Sequence, residues 1–384
     1  MRYREFKLVE SQVYLKEGAR IDHAEDIVFW EGSRGAIRAL ESLKSLEKGK
    51  HTDVTIKWDG SPAIIFGRDE NGQFILSDKS GFGATGYNGK AKSADDLEAM
   101  FMNRKGASNP DEAKRNNYLQ FVGKMKDIFD EYERATPKDF RGFLKGDLLY
   151  YTTPPVKNNN YVFKPNIVEY AVDVDSDLGK RIGQSKTGVV VHRLVDVEGN
   201  ESEVPKGIDF QGTDVLIFPS VTVERAPEIE DEGINQLKAD VAKNAGAIDK
   251  LLDPVALTQL KISDFAKVLY AYTNSKVDTG LENLGADFFD WMARSKLSAN
   301  KQKNIATHIQ NNQAGFNAIW QVVSGIMRIK DDVIRQFDSH NQTVKSSIPG
   351  HGEGGEGYVL AHPEGDVKLV PREYFTRANR AVQR

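Results

Sequence analysis

The sequence contains no cysteine among its 384 residues. Disulfides, thiolate metal sites and cysteine nucleophiles are therefore excluded. It also lacks an apolar run of membrane-spanning length, and its first residues show no apolar segment typical of a signal peptide. We therefore expect a cytoplasmic protein that does not contact a membrane.

Several short motifs with known chemistry are also missing. The seven histidines are scattered without HExxH spacing, and the chain has neither a GxSxG nor a GxxxxGK[ST] motif. A transition-metal site and a P-loop are therefore not expected. The net charge of −4 argues against a protein that coats DNA, although residues 180–193 and 367–384 are locally basic. These two segments could equally be solvent-exposed surface.

The most informative stretch that is present is VTIKWDGSPAIIFGRDENGQFILSDKSGFG, residues 54–83. Alternation from Val54 to Trp58 predicts a half-buried strand. Asp59-Gly60 predicts a turn, and two further strands at 63–67 and 74–77 predict a hairpin. Lys57 thus stands at the end of a strand beside a tight turn. An uncharged amine held there would be a nucleophile, whereas the simpler interpretation is an exposed lysine next to a hairpin.

Two other stretches carry charges in strand-forming surroundings. Asp147 lies within FLKGDLLYY, and a carboxylate buried there needs a cation or a metal as partner. Near the C-terminus, EGYVLAHPEGDVKLV predicts a hairpin with a three-residue loop ending in Gly365. In that register Glu356 and Lys368 project from the same face, whereas a four-residue loop would put them on opposite faces.

A glycine-rich segment at 81–86 matches GxGxxG. A dinucleotide fingerprint needs a helix immediately afterwards, and no helical pattern begins before Ser93. We therefore interpret this segment as a loop near a ligand. Ser93 itself predicts a helix N-cap.

The overall pattern predicts an α+β fold. Strand patterns dominate residues 1–225 and 346–384, whereas residues 226–345 are all amphipathic helix. We therefore expect one mixed domain formed by 1–225 and 346–384, interrupted by a helical domain at 226–345.

Taken together, these motifs resemble the covalent nucleotidyltransferase superfamily of ATP-dependent DNA ligases, RNA ligases and mRNA capping enzymes. The chain also resembles ligase-like proteins of tailed phages, in which case its location would be the host cytoplasm. The resemblance rests on six segments in the family's order: Lys57-Trp58-Asp59-Gly60, SDKSG at 77–81, Gly146-Asp147, Tyr170 in IVEYAV, Glu356-Gly357-Tyr358-Val359, and Lys368 in VKLV.

The resemblance implies an antiparallel-sheet adenylation domain and a role for each matched residue. Lys57 would attack the α-phosphate of ATP, and Lys368 would stabilise the charge that develops there. Asp147 and Glu356 would hold Mg²⁺ or Mn²⁺. Tyr170 could stack on adenine or be an ordinary core residue, and Lys79 would reach the ribose or a 5′-phosphate. The residues expected to bind the cofactor ATP are Thr55, Ile56, Asp59, Gly60, Lys79, Tyr170 and Glu356.

The sequence also departs from the family pattern. Asp147 replaces a more usual glutamate, and the last motif has one lysine where the family usually has two. Only residues 369–384 follow Lys368, too few for an OB-fold. We therefore expect a monomeric RNA-ligase-like enzyme that joins 5′-phosphate and 3′-hydroxyl ends of nucleic acid. The alternatives are a minimal nick-sealing DNA ligase, a non-catalytic nucleic-acid-binding protein, and an enzyme that transfers AMP to another acceptor.

Overall fold

The computed structural model describes residues 22–82, 90–196, 198–204, 208, 210, 214–341, 343–348, 350 and 352–383. Three sheets and two sets of helices make up this part of the chain, and most neighbouring strands are antiparallel. The predicted α+β class is therefore confirmed. The beginning of the first predicted domain and most of the GxGxxG segment lie outside the described residues.

The first sheet joins the beginning of the described chain to its end. Its strand order is β1-β15-β14-β2, and only the β1–β15 pair is parallel. The strands are β1 (Asp22–His23), β2 (Val54–Ile56), β14 (Tyr358–Leu360) and β15 (Val367–Leu369).

The second sheet is built around the predicted hairpin. Its order is β10-β9-β5-β3-β4, and β11 adds a parallel pairing to β9. The strands are β3 (Ala63–Arg68), β4 (Phe74–Asp78), β5 (Gly142–Tyr150), β9 (Thr187–Val195), β10 (Glu201–Glu203) and β11 (Val215–Pro219). One face is covered by helices α3 (Ala94–Met102) and α4 (Glu112–Ala135), and its apolar residues form a separate core.

The third sheet is entirely antiparallel among the described residues, in the order β13-β12-β8-β7-β6. Its strands are β6 (Val156–Lys157), β7 (Asn160–Phe163), β8 (Glu169–Asp173), β12 (Val344–Ile348) and β13 (Gly352–Glu353).

The remaining helices fall into a long run and several isolated elements. The run comprises α6 (Asp231–Leu251), α7 (Pro254–Gln259), α8 (Phe265–Ser275), α9 (Phe288–Ala293), α10 (Ala299–Asn311) and α11 (Gln313–His340). The helices outside this run in the sequence are α1 (Ile27–Ser45), α2 (Lys79–Phe82), α5 (Asp177–Gly183) and α12 (Arg372–Gln383). Short 3-10 turns cover Ala24–Asp26, Leu46–Lys48, Lys50–Asp53 and Lys276–Asp278.

The helical run coincides closely with the segment predicted to be helical, and no strand lies between residues 226 and 341. It is not an independent core, however. The residues buried in α6 and α11 join those of α1 and of the first and third sheets in one hydrophobic cluster. None of the helices in the described part of the chain is long and apolar enough to cross a membrane.

The predicted register of the C-terminal hairpin is wrong by one residue. Val359 pairs with Lys368 and Leu360 with Val367, whereas the predicted three-residue loop would put Leu360 opposite Lys368. The turn closes by a hydrogen bond of 2.9 Å from the Gly365 N–H to the His362 carbonyl. The turn residues alone did not distinguish a three-residue loop from a four-residue loop. The shift of one residue places Lys368 on the same face of the sheet as Val359.

Candidate functional site

Lys57 follows directly on strand β2 and is fixed from the opposite strand. Its backbone N–H donates to the carbonyl of Gly357 at 2.9 Å, which extends the β2–β14 ladder. Its ammonium group forms an ion pair with the carboxylate of Glu356, although the two residues are 299 positions apart in the sequence. The Lys57 side chain is 24% exposed and that of Glu356 15%, so the pair is partly accessible to solvent.

Gly357 explains how Glu356 reaches Lys57. Its φ of 112° lies in the left-handed region, and a Cβ there would stand 2.1 Å from the carbonyl oxygen of Leu369. A residue with a side chain would therefore separate the two strands. Gly357 lies between Glu356 and β14, so the strand alternation of β14 does not extend to Glu356. Glu356 therefore contacts Lys57 even though the hairpin register differs from the prediction.

Asp59 and Tyr170 support the loop behind Lys57. The buried carboxylate of Asp59 accepts hydrogen bonds from the N–H groups of Ile167 at 2.7 Å and Val168 at 3.0 Å, and from the amide of Asn166 at 2.9 Å. The Asp59 N–H donates to the Tyr170 hydroxyl at 2.6 Å. These bonds hold the turn between β2 and β3 against β8.

The expected adenine-stacking role of Tyr170 therefore requires correction. Its side chain is fully buried, and its ring packs on Trp58 with centroids 4.6 Å apart. Neither face is open to a ligand. Ile56 is also buried, so neither Asp59 nor the side chain of Ile56 presents a free surface to a cofactor.

Asp147 is brought to the same site by Gly60. A Cβ on Gly60 would lie 2.5 Å from the Cβ of Asp147 and 2.9 Å from the carbonyl of Leu148. The turn after Lys57 thus rests directly on strand β5. Burial raises the pKa of Glu356, and the negative charge of Asp147 adds to this shift, as expected for two nearby carboxylates.

We expect Gly60→Ala to push this turn away from Asp147, since backbone atoms cannot move aside as a flexible side chain can. Overpacking of this kind typically costs about 1–3 kcal/mol. Urea unfolding of Gly60→Ala should show this loss. Gly123→Ala is the control, because nothing lies within 4 Å of a Cβ on Gly123 and alanine is favoured in a helix. Equal stability of the two variants would contradict the close contact.

His192 is a site residue that the sequence patterns did not identify. Its Nε2 lies 3.0 Å from Asp147 Oδ2, and its Nδ1 lies 3.0 Å from the Ser220 hydroxyl. The β5–β9 register shifts at this point, with Lys145 opposite Arg193 but Gly146 opposite Val191. His192 is the additional residue of this bulge, and bulges commonly redirect a side chain next to a functional site.

Two cations lie beside Asp147 on the second sheet. Lys145 and Asp147 are alternate residues of β5 and share one face, and Arg193 pairs directly with Lys145. Arg193 forms an ion pair with Asp366, and Lys145 forms one with Glu201. Asp366 immediately precedes β15, so the Arg193–Asp366 pair joins the second sheet to the first.

Lys368 and Thr55 lie in one row of the first sheet. Val359 pairs with Thr55 on one side and with Lys368 on the other, and all three are half-buried, whereas their neighbours along each strand are buried. Residues paired across an antiparallel sheet share a face. Two strand spacings separate the positions of Thr55 and Lys368, which is about 10 Å. Lys368 therefore lies on the face from which Lys57 also projects.

Lys79 is a predicted site residue whose side chain is exposed to solvent. It lies at the start of α2, directly after β4. The preceding Asp78 is bound by both terminal nitrogens of the Arg104 guanidinium at 2.7 Å. Since Asp78 pairs with Ile64, which in turn pairs with Gly146, Lys79 lies at the same end of the second sheet as Asp147.

Burial raises the pKa of Glu356 above its ordinary value, and Lys57 only partly opposes this shift. A carboxyl group whose pKa is raised by folding contributes stability below its unfolded-state pKa, and this contribution is lost as pH rises through the folded-state pKa. We therefore expect the difference in melting temperature between Glu356→Gln and the unmodified chain to shift in favour of Glu356→Gln as the pH rises from 4 to 8. Thermal unfolding with a chelator present measures this difference, and a gap that does not change with pH would contradict it.

Residues far apart in the sequence are thus neighbours in the fold. Lys57 contacts Glu356, the Gly60 turn rests on Asp147, and His192 contacts Asp147. Lys368 lies in the same row of the first sheet as Thr55. The fold and the site define an α+β protein with a lysine–carboxylate pair close to the contact between two largely antiparallel sheets.

The chain belongs to DUF6267, a family of unknown function, whose model matches residues 19–384. Neither the curated proteins nor the solved structures gave a match.

Proposed function

We propose that this protein is a covalent nucleotidyltransferase of the ATP-dependent ligase type. In the first step, Lys57 Nζ attacks the α-phosphorus of ATP. An N–P bond forms, the bond from the α-phosphorus to the bridging oxygen breaks, pyrophosphate leaves, and the amine releases a proton. The observation that carries this proposal is the contact between Lys57 and Glu356 across 299 residues of sequence.

The surroundings of Lys57 support this chemistry. Glu356 holds the amine in place and is an oxygen base within reach of its proton. Lys368 lies on the same face and would offset the negative charge that builds on the phosphate in the transition state. Asp59 and Tyr170 fix the loop that carries the lysine, which limits the positions its nitrogen can take.

The carboxylates also fit a divalent cation. Mg²⁺ is usually held by one or two protein carboxylates, with water and substrate phosphates completing its shell. Within the described residues no group of three ligands is assembled in advance. Asp147 and Glu356 supply the two carboxylates that such a shared site needs. When bound, the ion would neutralise phosphate charge.

The subsequent steps would transfer AMP to a 5′-phosphate of nucleic acid and then join that end to a 3′-hydroxyl. Lys79 supports this assignment, because it is an exposed cation at the same end of the sheet as Asp147. We propose RNA ends as the first substrate class. Nick sealing in DNA is the alternative.

The direct test is covalent labelling of the full chain. The protein is incubated with ATP carrying ³²P at the α-phosphate and with Mg²⁺ or Mn²⁺, then separated under denaturing conditions. We expect one labelled peptide, which contains Lys57, with an acid-labile bond. Labelling from GTP in place of ATP would indicate a capping reaction. No label from any nucleotide would overturn the proposal and leave a non-catalytic nucleic-acid-binding protein. A positive result is followed by 5′-phosphorylated RNA, DNA and hybrid substrates.

A further inference from the structure

The side-by-side cations Lys145 and Arg193 are not explained by the role of Lys57. They are directly opposed on neighbouring antiparallel strands, and like charges in that arrangement repel each other. Each is paired with a carboxylate from a different element, Glu201 of edge strand β10 and Asp366 before β15. Glu203 is also opposite Arg193 on β10. Two adjacent cations whose ion-pair partners lie on the edge strand and on another sheet suit exchange of one partner with an anionic ligand.

Their position indicates which ligand this is. Lys145 is two residues from Asp147 on the same face of β5, which is about 7 Å along the strand. Asp366 is two residues before Lys368 and immediately precedes β15. Lys145 is therefore farther along β5 than Asp147 from the turn that follows Lys57. Arg193 is held next to it and is bound to Asp366. Arg193 is 24% exposed and Lys145 19%, so both side chains are partly accessible to a ligand.

We propose that Lys145 and Arg193 form a binding site for the phosphates beyond the α-phosphate of a nucleoside triphosphate. This inference rests on the proposed function and deepens it by naming how the leaving pyrophosphate is bound. Arg193 would then supply a second cation close to Lys368, because it is bound to Asp366, two residues before Lys368. The planar guanidinium binds phosphate oxygens through two parallel hydrogen bonds, and ligand phosphate replaces the Asp366 carboxylate.

Binding measurements on the full chain test this assignment. Calorimetric titration without divalent metal, so that no transfer occurs, uses ATP, AMP, inorganic pyrophosphate, and a 5′-phosphorylated oligonucleotide with its 5′-hydroxyl counterpart. We expect Arg193→Gln and Lys145→Gln each to weaken ATP and pyrophosphate binding about tenfold. AMP binding should change by less than about twofold. Lys276→Gln is the matched control, since Lys276 pairs with Asp287 at 2.8 Å in the helical run and is 16% exposed.

Asp366→Asn separates ligand binding from a structural ion pair. Removing the competing carboxylate should tighten pyrophosphate binding, whereas a purely structural pair predicts only reduced stability. The double variant Arg193→Gln/Asp366→Asn removes both charges and keeps the test valid if Arg193→Gln alone unfolds.

Equal weakening of ATP and AMP, or no gain with Asp366→Asn, would overturn the inference. A change confined to the 5′-phosphorylated oligonucleotide would also overturn it and assign the cations to the strand. The two proposals can fail separately. If the protein binds pyrophosphate but is not covalently labelled, only the proposed nucleotidyl transfer is refuted. If Arg193→Gln is labelled with an unchanged KM for ATP, only the proposed phosphate-binding site is refuted.

Discussion

Lys57→Arg is expected to abolish covalent labelling, with a loss of roughly three orders of magnitude or more. Arginine keeps the positive charge that Glu356 faces, so the ion pair and the local fold should be retained. Its guanidinium, however, remains protonated in proteins and offers no free electron pair for attack on phosphorus. The loss therefore reports chemistry at the nitrogen and not the stability of the site. Lys57→Ala should be equally inactive.

The control for this prediction is Lys301→Arg. Lys301 pairs with Asp264 at 2.5 Å and is 23% exposed, which matches the 24% of Lys57. It should label as efficiently as the unmodified chain. Equal melting temperatures of both variants would exclude unfolding as the reason for a loss. Label retained in Lys57→Arg would place the nucleophile elsewhere and remove the basis of the proposed mechanism.

The parts of this site that the sequence predicted are local. Strands β2, β3 and β4 follow from alternation and from turn residues within 25 positions, and the structure confirms them. The Ser93 cap is confirmed as well, since its hydroxyl accepts from the Asp96 N–H at 3.1 Å. These features depend on neighbours in sequence, which is why composition and spacing were sufficient.

The parts that were missed depend on strand pairing. The residues around Tyr170 match the strand that the resemblance places at the site. However, β8 pairs with β7 and β12, in a different sheet from Asp147. Asp147 lies between β3 and β9, and the bulge of β9 directs His192 toward the carboxylate. No local pattern specifies which of several aromatic strands becomes a neighbour, or where a register shift occurs. The role of Asp59 in binding three donors is likewise visible only in three dimensions.

A second large effect, on the free energy of unfolding, is expected at a cluster of buried charged residues that does not include Lys57 or Glu356. Arg372, at the start of α12, is 1% exposed and forms two hydrogen bonds with Asp26. Lys330 of α11 is fully buried and bonds Glu25 at 2.8 Å. Burial by itself would raise the pKa of Glu25, but Lys330 and Arg372 reverse this and lower it to about 2. The cluster thus links the first described residues to the helical run and to the last helix.

Arg372→Met is therefore expected to destabilise the chain by about 3–5 kcal/mol. Burial already raises the pKa of Asp26 to about 6 although Arg372 opposes the shift, and without Arg372 the buried carboxyl group would lose its hydrogen-bond donor and its opposing charge. Urea unfolding measures the loss. Arg377→Met is the control. Arg377 is on the same helix, is 43% exposed, pairs with Glu373 and donates to the Val277 carbonyl at 2.9 Å. Loss of these two contacts should cost less than about 2 kcal/mol. Arg372→Met/Asp26→Leu should recover most of the loss, since replacing both members of a buried ion pair by apolar residues leaves no unpaired charge. If the double variant were less stable than Arg372→Met, packing around these side chains and not the unpaired carboxylate would set the stability of this junction.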